Sequence, residues 1–241
     1  MNTNKEKYFS KKTSLDPSIA EERYLKLNEI SEKAKYFKVP KFIKKEGECL
    51  YFERISDFKN FNYFIKNKKN MKKSLYKLGI ALGEMHRLFN KKEELNDIIN
   101  LHGDFSLHNS LIIKETVYII DFEPPHTSRQ ILGNDEYYIK NFKELDLARL
   151  LFKLRNHIFL SPKFFNKKFI ANSLTKQFIE GYEIGSGSKI NSHRLNHFMK
   201  KIEKEVLTRS REKEKFFRYI IREPIYQIQR NKILKIYKNK K

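Results

Sequence analysis

The spacing of apolar positions changes part-way along the chain, and the change separates two regions. In the first, apolar residues come in short runs suited to strands. Residues 7–12 (KYFSKK) read as a short strand ending in lysine. Asp16 or Ser18 can cap a helix that begins near Pro17, since proline is tolerated in the first turn. That helix carries Ile19, Leu25, Leu27 and Ile30 as an uneven stripe. After Val39-Pro40, strands from Lys41 to Lys44 and from Glu48 to Ile55 are joined by a turn at Glu46-Gly47. From Phe58 the helical period takes over. Ser74 to Phe89 has apolar residues at 75, 78, 82, 85 and 89, a stripe that should be buried. A hairpin then interrupts: Ser110 to Ile113, a turn at Lys114–Thr116, and Val117 to Ile120. Helices are expected over Phe142–Phe159, Lys163–Tyr182, Ile190–Thr208 and Arg211–Tyr237, the last broken at Pro224. Gly185-Ser186-Gly187-Ser188 reads as a flexible connector.

Composition narrows the class. The 241 residues suffice for one sizeable domain or for a small lobe on a larger one. With 39% hydrophobic residues, 20 of them phenylalanine, the chain should have a packed core. No run approaches the roughly 18 apolar residues of a spanning helix, and MNTNKEKYFSKK lacks the apolar centre of a secretory signal. The single cysteine, Cys49, excludes an internal disulfide and fits a reducing compartment, so a cytoplasmic location is expected. The formal charge of +22 favours a polyanion: nucleic acid, an anionic membrane surface at the basic tail Gln227–Lys241, or an acidic sugar. A lysine-rich composition alone would produce the same charge. For the tail, a final helix docked on the rest is the preferred reading.

The chemistry concentrates between Leu101 and Glu123. Asp104 and Asn109 lie in one loop, and Asp121 directly follows the second hairpin strand. A two-stranded ribbon brings its open ends together, so Asp121 should return beside Asn109. Two carboxylates and an amide oxygen facing one small volume suit Mg²⁺, a hard cation that keeps several waters and binds phosphate at the same time.

His102-Gly103-Asp104, Asn109 five residues on, and Ile120-Asp121-Phe122-Glu123 together resemble the catalytic core of the aminoglycoside phosphotransferase and choline kinase-like family. That resemblance implies an α+β, protein-kinase-like two-lobed fold: a reduced β-containing lobe over residues 1–55 and a mainly helical catalytic lobe over residues 56–241. It implies ATP and Mg²⁺ as cofactors, Asp104 as the catalytic base, and Asn109 and Asp121 as magnesium ligands. His102 would stand with Asp104 in the catalytic loop as its brace, and Asp146 would bond that loop's backbone from beneath. Lys11 or Lys12, paired with Glu21, would hold the α- and β-phosphates. The carbonyl of Glu53 and the amide of Ile55 would hold adenine. Glu21 is chosen over Glu22 because it stands one turn before Leu25.

The sequence departs from that family in that none of its eight glycines precedes Gly47, so no glycine-rich loop lies upstream of the lysine. Ser106 stands where serine/threonine protein kinases carry lysine, and the segment after Glu123 has Pro124-Pro125 but no Ala-Pro-Glu. His126 and Arg129 in that segment are candidate contacts for an acidic substrate, and His86 reads as a packed or surface residue. The expected reaction is transfer of the γ-phosphoryl group from ATP to a hydroxyl of a small molecule, with a sugar as the preferred acceptor and an anionic lipopolysaccharide sugar as one case. Two alternatives stand beside it. One is a small atypical serine/threonine protein kinase of the tRNA-threonylcarbamoylating-complex type. The other is a non-catalytic binder of anions or nucleic acid.

Overall fold

The computed structural model describes residues 8–13, 16–61, 63, 70–89, 102, 105–122, 142–160, 166–213 and 216–238. In chain order the elements are β1 (Tyr8–Lys12), α1 (Pro17–Lys33), β2 (Phe37–Lys38), β3 (Phe42–Glu46), β4 (Cys49–Glu53), β5 (Lys59–Asn60) and α2 (Met71–Phe89). They continue with β6 (Ser110–Ile113), β7 (Thr116–Ile119), α3 (Phe142–Leu160), α4 (Lys167–Ser186), α5 (Ser192–Lys213) and α6 (Phe216–Lys238). The class is α+β, with a sheet-rich part followed by a helical one. One sheet is antiparallel, in the order β1-β4-β3; the second runs β2-β7-β6-β5, with β2 parallel to β7.

In the first sheet, the β3–β4 turn relies on Gly47, whose φ of +58° suits glycine. Phe42, Leu50 and Phe52 point from this sheet onto α1 and are buried there. Tyr24 of α1 meets the Phe52 ring edge-on at 4.6 Å, a geometry favoured by the ring quadrupoles. Asp16 caps α1, its Oδ1 accepting from the amides of Ser18 at 2.9 Å and Ile19 at 3.4 Å. The buried stripe of α1 is Ala20, Arg23, Tyr24, Leu27, Ile30 and Ser31. Ile19 and Leu25, expected on the inward stripe, are about half exposed. The three- and four-residue steps from Ala20 through Tyr24 and Leu27 to Ser31 define the face that meets the sheet, and Leu25 lies off it.

The helical part is built on an unusually close helix pair. Gly79 and Gly83 of α2 face Gly181 and Gly185 of α4, so that a Cβ at Gly79 would lie 2.3 Å from the carbonyl oxygen of Phe178, and one at Gly185 2.1 Å from that of Ile80. Gly185 and Ser186 therefore form the last turn of α4 and not a flexible connector. The helix stops at Gly187, whose φ is +64°. α6 also runs unbroken through Pro224, where a break was expected. That proline is exposed, so its ring faces solvent while the helix forgoes one backbone bond. Tyr226, Gln229, Ile233 and Tyr237 of α6 are buried, Arg230 pairs with Glu203 of α5, and the Tyr237 hydroxyl donates to the carbonyl of Ile190. The described part of the basic tail thus docks on the protein.

Arg155 of α3 is fully buried and donates to Gln229 (2.8 Å), Thr175 (3.2 Å) and Asn172 (3.1 Å). Burial lowers its pKa to about 10. Among the described residues no helix is long and apolar enough to cross a membrane.

Candidate active site

The β6–β7 hairpin pairs Ser110 with Ile119 and Ile113 with Thr116, and Lys114 closes the turn at a φ of +54°. One rung beyond the strands, the Ile120 amide donates to the Asn109 carbonyl at 3.0 Å, so the open end holds Asn109 beside the strand that leads into Asp121. Asp121 adopts a φ of +64°, a left-handed conformation that Asp tolerates better than most residues. Asn109 and Asp121 both line a cleft of about 630 Å³ shared with β1 and the chain after β4. The convergence expected for Asn109 and Asp121 is present. Asp104 and Gly103, like Glu123, His126 and Arg129, lie outside the described residues.

β1 settles which lysine faces the cleft. Lys11 lies opposite Leu50 and Lys12 opposite Cys49, so the two side chains leave opposite faces of the strand. Lys11 lines the cleft and forms an ion pair with Asp121 across it. Lys12 turns outward to Glu48 at 2.5 Å, a hydrogen-bonded pairing that raises the lysine pKa and lowers that of the glutamate. Glu21 meets neither lysine; it pairs with Lys45 of β3 at 2.7 Å. The choice of Glu21 rested on Leu25 facing inward, and with Leu25 exposed Glu21 lies beside β3. Glu53 and Ile55 line the cleft together with Phe9, Phe52 and Phe58. The Glu53 amide is already taken by the Lys41 carbonyl at 2.8 Å.

Beneath the hairpin the side chains are dry. His102 is fully buried, and its Nε2 lies 2.7 Å from the Ile120 carbonyl, so Nε2 carries the proton and donates. Burial pushes its pKa below the ordinary value against the opposing pull of Asp146. Its ring packs against Phe105 and Phe122. The backbone amide of His102 donates to Asp146 Oδ2 at 3.1 Å, the bond expected from beneath the loop. Ser106 is buried, with its carbonyl accepting from the amide of Asn109 and the hydroxyl of Ser110, so it shapes the turn.

Three details go beyond the sequence reading, which had His86 only as a packed or surface residue. His86 is fully buried between Tyr182 and Asp146. Arg23 lies buried on α1, its charge felt at His102. Phe9 and Phe58, both about half exposed, line the cleft. The step from Ala20 to Arg23 was a signal for the second; the other two depend on distant chain segments.

Among the described residues no group of three or more His, Cys, Asp or Glu side chains is placed to hold a metal. The Asp121 carboxylate and the Asn109 amide, on residues that both line this cleft, nonetheless match the ligand type of Mg²⁺, which takes few protein oxygens and several waters. A cleft of this kind, with a lysine and an aspartate on opposite walls, can hold a nucleotide's phosphates. A protein-family model described as the RIO domain, an atypical protein-kinase-like family, matches residues 2–142, more than half of the sequence. The motif residues had suggested the aminoglycoside phosphotransferase and choline kinase-like family instead. No curated protein matches the sequence.

Proposed function

The chain belongs to the RIO domain family, and on that premise we propose that it is an ATP- and Mg²⁺-dependent phosphotransferase of the atypical protein-kinase kind. Its acceptor is a serine or threonine hydroxyl on a protein. The observation that carries this reading is that Lys11, Asn109 and Asp121 line one cleft. Lys11 binds the phosphates once its pairing with Asp121 is exchanged for nucleotide, and Asn109 and Asp121 hold the cation. When bound, Mg²⁺ neutralises charge on the transferring phosphoryl group. Asp104 accepts the hydroxyl proton, while Glu53 and Ile55 offer backbone groups to the base. His102, buried and neutral, braces the loop. The charge of +22 favours an acidic region on the acceptor protein. A sugar acceptor has no support from the family match.

Thermal denaturation with and without Mg-ATP tests the nucleotide step. ATP at 100 times its dissociation constant should stabilise the protein by about 2.7 kcal/mol, and Asp121→Ala should abolish the shift. A melting curve that does not move at millimolar ATP would defeat the proposal. Labelled phosphate appearing on sugars and never on protein would overturn the choice of acceptor.

A further inference from the structure

A second recess, of about 360 Å³, lies across the β5–β6 ribbon from the cleft. Strand register separates the two. The Asn60–Leu111 pair turns to the cleft, and the neighbouring Lys59–Ile112 pair turns to the recess. Four lysines from three chain segments line it: Lys59 on β5, Lys73 and Lys77 on the first two turns of α2, and Lys114 in the β6–β7 turn. We propose that this recess is a docking site for a phosphorylated serine or threonine side chain of a partner protein.

The charge of the recess suits a dianion. Against its four lysines stand two carboxylates, Asp57 and Glu115, which leaves two positive charges over. A phosphoryl group on a side chain carries about −1.5 to −2 charges near neutral pH and three strong acceptor oxygens. Glu115 shows how such a group is held. Its largely exposed carboxylate pairs with Lys77 and lies 3.9 Å from Lys73, but it reaches neither Lys59 nor Lys114. Glu115 is therefore a partial stand-in, and an exposed ion pair of this kind is easily displaced. The backbone bordering the recess is also unusual. Among the described residues, five other than glycine have a positive φ, and three of them line it: Asp57 (+56°), Asn70 (+75°) and Lys114 (+54°). Asp and Asn tolerate that conformation, whereas lysine does so poorly, and hairpin turns that need it favour glycine. Lysine at 114 keeps a cation on the recess where the turn alone would prefer a bare backbone. Among the described residues no aromatic ring lines the recess to stack a base, and its two carboxylates would repel the flanking phosphates of a nucleic acid. One phosphorylated side chain brings a single centre of charge and avoids both problems.

Docking needs no catalysis and is read by binding; only the partner's being the acceptor rests on the phosphotransferase reading. The probe is a fluorescein-labelled peptide of glycine and serine with one phosphoserine, followed by anisotropy at about 0.15 M salt. It should bind, and its unphosphorylated form should not. Lys77→Ala should raise Kd about tenfold, the loss of one charge-assisted hydrogen bond. Glu115→Gln removes the competing carboxylate and should lower Kd about threefold. Lys168→Ala, at an exposed lysine on α4, should leave Kd unchanged and so controls for net charge. Lys114→Gly divides a structural role from a binding one. It relieves the turn and should melt at or above wild type, yet bind the phosphopeptide about tenfold more weakly. An unchanged Kd in both Lys77→Ala and Lys114→Gly would overturn the proposal. Equal affinity for the plain peptide, or for inorganic phosphate alone, would overturn it as well. So would a single-stranded oligonucleotide that binds more tightly through the same lysines. With Mg-ATP present, Lys77→Ala should raise KM for the phosphopeptide and leave kcat as it is. A peptide that docks through these lysines but is never phosphorylated would defeat the enzyme reading and leave the docking site standing.

Discussion

Substituting Gly181 with alanine sets two opposing effects against each other, and their signs differ. Alanine is the better helix former by about 1 kcal/mol, so an unconstrained helix would gain stability. In the α2–α4 seam, however, the new Cβ would lie 2.1 Å from the Tyr76 carbonyl oxygen, 3.0 Å from its carbon and 3.1 Å from the Ile80 amide nitrogen. Ordinary contact starts at 3.4 Å, so the backbones must part by more than an ångström, and nothing flexible is available to yield. Overpacking of this kind costs about 1–3 kcal/mol, sometimes more. Because both partners here are main chain, the upper end applies and exceeds the propensity gain. The net loss should be about 2 kcal/mol, or a fall in Tm of about 4–8 °C for a chain of this size. Circular dichroism at the helix band during heating measures it. The widened seam should also separate Tyr182 from His86. A Gly181→Ala protein melting at or above wild type would refute the close-contact argument, since only propensity would then be acting.

Two further outcomes follow from buried polar groups. The folded-state pKa of His102 is depressed below its ordinary 6.5, so unfolded chains bind the proton more readily. Stability is therefore full above pH 6.5 and should fall as the pH drops below it. Melting temperatures from pH 7.5 to 5.5 should fall less steeply in His102→Gln, and equal slopes would contradict the assignment. Glu84, buried on α2, accepts the amides of Lys35 at 3.0 Å and Tyr36 at 2.6 Å, tying the end of α1 to the helical part. Glu84→Ala should cost about 2 kcal/mol or more by leaving those donors without a partner. Urea denaturation would show it as a lowered midpoint, and an unchanged midpoint would mean water replaces the carboxylate.

The hairpin was legible because its information is local: two four-residue apolar runs, a short turn between them, and polar residues at the open end, although the second strand starts at Thr116, one residue earlier than the turn at Lys114–Thr116 implied. Pairing geometry alone then predicts that Asn109 meets Asp121. The choice between Lys11 and Lys12 was not legible, since it depends on which face of β1 turns to the cleft. Glu21 was misjudged because Leu25 was taken to mark the inward side, while that side is marked by the small and polar residues Ala20, Arg23 and Ser31. His86 appeared ordinary because its two partners lie 60 and 96 residues further along. Gly185 was read as slack for a related reason: beside Ser186 and Gly187 it suggests a linker, and its function is apparent only against Ile80.

Adjacent lysines on β1 give one corner of the cleft a spare. The strand is exposed on most of its length, so side-chain burial does little to fix its alignment with β4. A one-residue slip would turn Lys12 inward as Lys11 turned out, and the cationic wall would survive the error. Asp121 has no such understudy: its neighbours are Ile120 and Phe122. Tolerance to damage is thus lopsided across the cleft, generous on the positive wall and absent on the negative one.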